Sequence, residues 1–214
     1  MHIEESFERI RACGVMAVIR GIQEDDLRRT IEAVLAGGVC CVEIAMSVRG
    51  ALKDIARLAQ EFGADAVIGA GEVLNAEMAQ VAMAAGSHFC TGIGANVHMI
   101  RACHRRDTLA IPGALTPTEI QAAWHEGASL IKVFPGNMVG PEYLETVRGP
   151  LPRVELMVSG GVTPETAPAF IRSGAVAIGA GRGIIDAAAI ARGRFDQITH
   201  SARRMAEAVQ AARG

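Results

Sequence analysis

Lys132 stands in the middle of Leu130-Ile131-Lys132-Val133-Phe134, a run whose other members are all apolar. An ammonium there is costly to desolvate unless it is paired, neutralised or used. Only two of the chain's 21 lysines and arginines are lysine, and the other, Lys53, lies in the helical-looking surface stretch "ALKDIARLAQEFG". A guanidinium can serve as a buried charge partner but cannot be deprotonated into a nucleophile, whereas an amine can. Glu43, inside "CCVEIAM", is the matching oddity: a carboxylate in an apolar run. Two explanations fit both residues. They form a satisfied buried ion pair, or the amine condenses with a ketone to an imine while the carboxylate moves protons. The second is the chemistry of a class I aldolase, which uses no metal or other cofactor.

Further along, "VSGGVTPET" (158–166) and "IGAGRGI" (178–184) bring Ser159, Gly160 and Gly161, then Gly179, Gly181 and Arg182, to the ends of two apolar runs. Backbone amides in glycine-rich loops near helix N-termini hold phosphate. Glycine serves tight turns as well, so these loops carry either reading.

The elements that must position these groups repeat along the chain. Short apolar or β-branched runs occur at 15–20, 40–46, 65–73, 88–92, 109–115, 130–136, 154–161 and 175–181. Helical stretches such as "EDDLRRTIEAVLAGG" and "TPTEIQAAWHEGA" separate them, with apolar residues at i, i+3, i+4. Three helix starts are marked by a capping residue: Asn75-Ala76-Glu77, Thr116-Pro117-Thr118-Glu119 and Thr163-Pro164-Glu165. Eight strand–helix units without a linker predict an α/β fold: one (β/α)8 TIM barrel spanning residues 1–214, with a short helix at about 3–13 over its bottom. Functional groups then belong at the C-terminal strand ends, where Arg20, Glu43, Glu72, Lys132 and the two glycine loops fall. Alternation along the second and sixth strands turns Cys41, Glu43, Ala45 and Lys132 toward the barrel axis.

Composition excludes several classes. The net charge is −2 and the isoelectric point about 6.3, so no nucleic-acid footprint is expected. No apolar run reaches membrane-spanning length, and "MHIEESFERIRACG" lacks a signal-peptide core, which points to the cytoplasm. The five cysteines show no CxxC spacing and read as reduced core residues rather than a disulfide or zinc framework. No histidine stands at a strand end. His88 begins a strand, and His98, His104 and His125 fall in helices, so all four read as structural or surface residues and no metal site is expected.

Taken together, "AVIRG" (17–21), "GGVCCVEIAM" (37–46), "IGAGEVLN" (68–75), "IPGALTPTEI" (111–120), "IKVFPG" (131–136), "SGGVTPE" (159–165) and "SGAVAIGAG" (173–181) give the chain a near full-length resemblance to a family. It resembles the bacterial 2-keto-3-deoxy-6-phosphogluconate/4-hydroxy-2-oxoglutarate aldolases. The resemblance implies Lys132 as the Schiff-base lysine, Glu43 as the proton shuttle, and the glycines after strands seven and eight as the phosphate site. It also implies Pro112 and Phe134 near the substrate, and a homotrimer. The chain departs from the family pattern in its carboxylate pocket. The arginine that ends the family's strand-two motif is Ser47 here, with Arg49 and Arg20 as possible replacements. The threonine of the strand-three motif is Glu72, which would repel a substrate carboxylate unless protonated or paired with an arginine. Thr91-Gly92-Ile93 stands where the family has Ser-Pro-Gly, and Arg182 replaces a serine.

The expected activity is cleavage of a 2-keto-3-deoxy sugar acid phosphate to pyruvate and glyceraldehyde 3-phosphate. A sister activity would cleave 4-hydroxy-2-oxoglutarate to pyruvate and glyoxylate. The alternatives are an imine-forming lyase on a different 2-oxo acid, a divalent-metal lyase using Glu43 and Glu72, and a non-catalytic binding protein descended from the aldolases. In every enzymatic case the partner is a small 2-oxo acid.

Overall fold

The computed structural model describes residues 1–214. Helix α1 (Ile3–Cys13) leads into nine parallel strand segments: β1 (Val15–Ile19), β2 (Cys41–Ala45), β3 (Val67–Gly71), β4 (Phe89–Thr91), β5 (Leu109–Ile111), β6 (Gly113–Ala114), β7 (Ile131–Val133), β8 (Leu156–Ser159) and β9 (Ala175–Ala180). The outer helices are α2 (Glu24–Ala36), α3 (Ala51–Phe62), α4 (Ala76–Ala84), α5 (Val97–His104), α6 (Pro117–His125), α7 (Pro141–Arg148), α8 (Ala167–Arg172), α9 (Ala187–Ala191) and α10 (Phe195–Arg213).

The hydrogen-bonded order is β5-β4-β3-β2-β1-β9-β8-β7-β6. Its two edges, β5 and β6, are separated in sequence by Pro112 alone. They are two halves of one barrel position, so the expected eighth-fold ring is present with its fifth strand split. The split has a simple cause. Proline has no N–H to give a ladder, while the flanking carbonyls still serve both neighbours. Ile111 accepts the Gly92 N–H at 3.0 Å on one side, and Pro112 accepts the Lys132 N–H at 2.9 Å on the other.

Strand alternation divides the core as the sequence pattern requires. Val42, Ile44, Ile131 and Val133 pack outward against the helices, all buried. Met16, Cys41, Val67, Phe89, Leu109, Leu130 and Met157 fill the lower interior, and Ile10 of α1 plugs it from below. Gly69 is part of this packing, because a Cβ there would run into the Phe89 ring. The helix starts follow their capping residues in two of three cases. Asn75 accepts the Met78 N–H at 2.8 Å, and Thr116 with Glu119 closes a reciprocal capping box. The third differs: α8 begins at Ala167, not near Thr163. Thr166 Oγ1 instead accepts the Thr163 N–H at 3.0 Å, holding residues 163–166 in a turn that delays the helix.

His88 is structural, as expected from its place at the start of β4. Its Nδ1 accepts the Ile68 N–H at 3.1 Å, and burial lowers its pKa from the ordinary 6.5. A folded-state pKa below the unfolded value contributes stability at higher pH that is lost as pH falls through the imidazole range. Urea midpoints should therefore drop between about pH 7.5 and about pH 5.5, and His88→Asn, whose oxygen can replace Nδ1 as acceptor, should flatten that drop.

Candidate active site

The site is built from the upper interior of the barrel. Glu43 of β2 and Lys132 of β7 are 3 % and 4 % exposed, so both charged groups sit out of bulk water. They converge across the axis, with Lys132 Nζ 3.9 Å from Glu43 Oε2. That separation is close enough for strong mutual attraction in a dry interior and long enough to leave the amine free to meet another atom. Gly71 of β3 makes the space, because a Cβ at that position would overlap the Glu43 side chain.

Lys132 has two further neighbours. Its Nζ donates to Thr91 Oγ1 at 3.2 Å and lies 5.7 Å from the centre of the Phe134 ring. Thr91, fully buried at the end of β4, is a site residue that the sequence reading does not select. The signal was present in "HFCTG", where alternation turns Phe89 and Thr91 to the same inward side. The backbone of Pro112 anchors the lysine's own N–H, as described above.

The mouth of the barrel is arranged differently. Glu72 follows β3 with a left-handed backbone, φ 58°, and its carboxylate is ion-paired with Arg20 just beyond β1. The pairing answers the electrostatic objection to a carboxylate at this position: Glu72 is matched to a guanidinium rather than to Lys132. Arg20 itself is largely exposed. Ser47 and Arg49 lie exposed in the turn after β2, and neither joins the buried group.

The first glycine loop follows β8, beside the lysine's strand, and the second follows β9, between β8 and β1. Gly160 and Gly161 have φ of 97° and 75°, a region open to glycine without a Cβ penalty. They also lie tight against the segment that follows Lys132. A Cβ on Gly160 would come within 3.1 Å of Phe134 and Pro135, and one on Gly161 within 2.7 Å of Asn137. Ser159 is buried, and a Cβ on Gly179 would stand 2.7 Å from its Oγ. Gly181 lies beside the end of β1, and Arg182 projects into solvent. The loops are therefore packed as well as permissive.

A parallel barrel that holds an amine beside a carboxylate at its axis has the parts of a Schiff-base lyase. Residues 7–201 match the aldolase family described as KDPG and KHG aldolase. The chain is 31 % identical over 198 residues to a 2-dehydro-3-deoxy-phosphogluconate aldolase of Treponema pallidum (strain Nichols), covering 92 % of each. It is 28 % identical to a 2-dehydro-3-deoxy-6-phosphogalactonate aldolase of Escherichia coli (strain K12), over 92 % of this chain and 96 % of the relative. Among solved structures it resembles, at 25 % identity and a TM-score of 0.85, the KDPG aldolase of Legionella pneumophila with pyruvate captured at low pH as a covalent carbinolamine intermediate. That likeness covers 91 % of this chain and 94 % of the other. The chain belongs to the KDPG and KHG aldolase family and is an aldolase, a carbon–carbon lyase.

The Thr91 contact yields a test. Thr91→Val keeps the shape and removes the hydroxyl, so Lys132 loses one hydrogen bond worth about 0.5–1.5 kcal/mol. The rate of aldol cleavage should fall by up to about tenfold, with a loss of folding stability no larger than that one hydrogen bond. A steady-state assay of pyruvate release reads this directly.

Proposed function

We propose that the protein cleaves a phosphorylated 2-keto-3-deoxy sugar acid by imine catalysis, with Lys132 as nucleophile and Glu43 as proton shuttle. The observation that carries this reading is the buried Lys132 amine held 3.9 Å from the buried Glu43 carboxylate. The amine attacks the C2 carbonyl to give a carbinolamine, which loses water to form the imine. Glu43 takes the proton of the C4 hydroxyl, and the C3–C4 bonding pair moves into the imine as an enamine. The aldehyde, glyceraldehyde 3-phosphate, departs. Glu43 returns its proton to C3, and water hydrolyses the resulting imine to free pyruvate and Lys132. In this mechanism Thr91 orients the amine, and the Phe134 face helps to exclude water from it.

Pro112 and Phe134 border the reacting end of the substrate. Ser159, Gly160, Gly161, Gly179 and Gly181 form the phosphate cradle, with Arg182 closing over it as a charged fork. Arg20 steers the substrate carboxylate, its partner Glu72 fixing where the guanidinium sits; Ser47 and Arg49 rank behind it. The same pocket takes 4-hydroxy-2-oxoglutarate, which lacks the phosphate, as a poorer substrate. We place the enzyme in the cytoplasm as a homotrimer. Exposed Leu74 and Ile93 at the rim, 52 % and 50 % accessible in the single chain, support contact with a neighbouring subunit. No helix is long and apolar enough to cross a membrane.

Comparing phosphorylated with unphosphorylated 2-keto-3-deoxy acids in a pyruvate-release assay tests the reading. The phosphorylated substrate should show a kcat/KM higher by on the order of a hundredfold, the scale of two charge-assisted hydrogen bonds. Lys132→Arg should abolish turnover on both. Equal kcat/KM for the two substrates would remove the phosphate cradle, and residual turnover in Lys132→Arg would remove the nucleophile. Sedimentation at micromolar concentration should give three times the chain mass, and Ile93→Glu should shift it toward the monomer.

A further inference from the structure

The cysteines that look unrelated in sequence converge in space. Cys13 closes α1, and Cys40 and Cys41 lead into β2 at the lower end of the barrel, so that Cys41 sits one interior layer below Glu43. The three sulfur atoms lie within 4.8 Å of one another. All are free thiols; Cys41 is buried, and Cys40 keeps part of its surface in solvent.

The surroundings treat these sulfurs unequally. Cys13 Sγ accepts the Cys40 N–H at 3.3 Å. The Cys13 S–H in turn donates to the Val15 carbonyl at 3.1 Å. Three thiols therefore share the cluster, and a bound cation would offset the charge left when their protons go. The frame around them is fixed by the far end of the chain. Arg213 of α10 donates to the carbonyls of Ala12 at 2.9 Å, Arg11 at 2.6 Å and Val176 at 2.6 Å. Its guanidinium and that of Arg9 also supply positive charge beside the sulfurs.

We propose that Cys13, Cys40 and Cys41 form a three-thiolate site for a soft monovalent metal ion, copper(I). Three sulfurs bound at the usual thiolate–metal distance stand about 4.0 Å apart in a plane, a separation that small χ1 adjustments reach from the present arrangement. No histidine or carboxylate joins the cluster. A structural zinc ion requires a fourth ligand, whereas thiolates alone satisfy copper(I). The reaction balances: one copper(I) adds to three thiols, giving a tris-thiolate of charge −2 and releasing three protons. It involves no electron transfer, and it is independent of the aldolase chemistry above.

The test uses the full chain, reduced and kept without oxygen, titrated with copper(I) held by the coloured chelator bicinchoninate. The wild type should withdraw one copper per chain from the chelator, and X-ray absorption should show three sulfur neighbours. Cys13→Ser should lose more affinity than the roughly 10–100-fold typical of removing an outer partner, while circular dichroism and pyruvate release stay unchanged. Cys40→Ser provides a second variant on the part-exposed side if Cys13→Ser fails to fold. Cys90→Ser with Cys103→Ser, the other neighbouring thiol pair, should bind as the wild type does. No copper uptake by the reduced wild type would overturn the proposal. So would uptake that survives Cys13→Ser and Cys40→Ser, tighter binding of zinc than copper(I), or a Cys13–Cys40 disulfide as the only chemistry the cluster performs.

Discussion

An ammonium and a carboxylate share the dry axis of this barrel, and each makes the other's burial tolerable. Taking either out of water alone costs several kcal/mol, and deleting one partner of such a pair typically destabilises a protein by about 3–5 kcal/mol. The surrounding sequence accommodates that constraint. Gly71 yields the volume that the Glu43 side chain occupies, Thr91 offers a neutral oxygen to the amine, and Pro112 accepts the lysine's backbone N–H while breaking its own strand. A hydrophobic pair at positions 43 and 132 would fill the space more cheaply. Retaining the charges at such expense is understandable when the amine is used in chemistry.

The fold answers the need for such a pair to be rigid. Parallel strands buried on both faces hold Glu43 and Lys132 at fixed register, and Phe89, Ile10 and Met157 close the interior beneath them. At the mouth the charges are paired sideways, exposed Arg20 on part-buried Glu72. The thiol cluster lies at the opposite end, under the strands, where α1 and α10 meet.

Much of this was legible in the sequence because strand alternation is strict. A period of two assigns an inward face to Glu43 and Lys132 as soon as their runs are recognised as strands, and eight repeats leave few architectures open. Chemistry set by close approach across the fold was not legible. Thr91 and the three sulfurs are brought together by strand neighbours and by a helix end, with no spacing signature. The delayed start of α8 turned on one hydrogen bond from Thr163 to Thr166. The Glu72–Arg20 pair lay between these cases: the need for an arginine could be stated from charge alone, but not which arginine.

The central claim is that Lys132 becomes covalently bound to a 2-oxo acid. Incubating the protein with pyruvate and sodium borohydride, then locating the adduct by mass spectrometry, tests it most directly. The account predicts a reduced pyruvyl adduct on Lys132 that is absent from Lys132→Arg. No adduct, or one confined to Lys53, would contradict it and leave the axial lysine as the partner in a buried salt bridge.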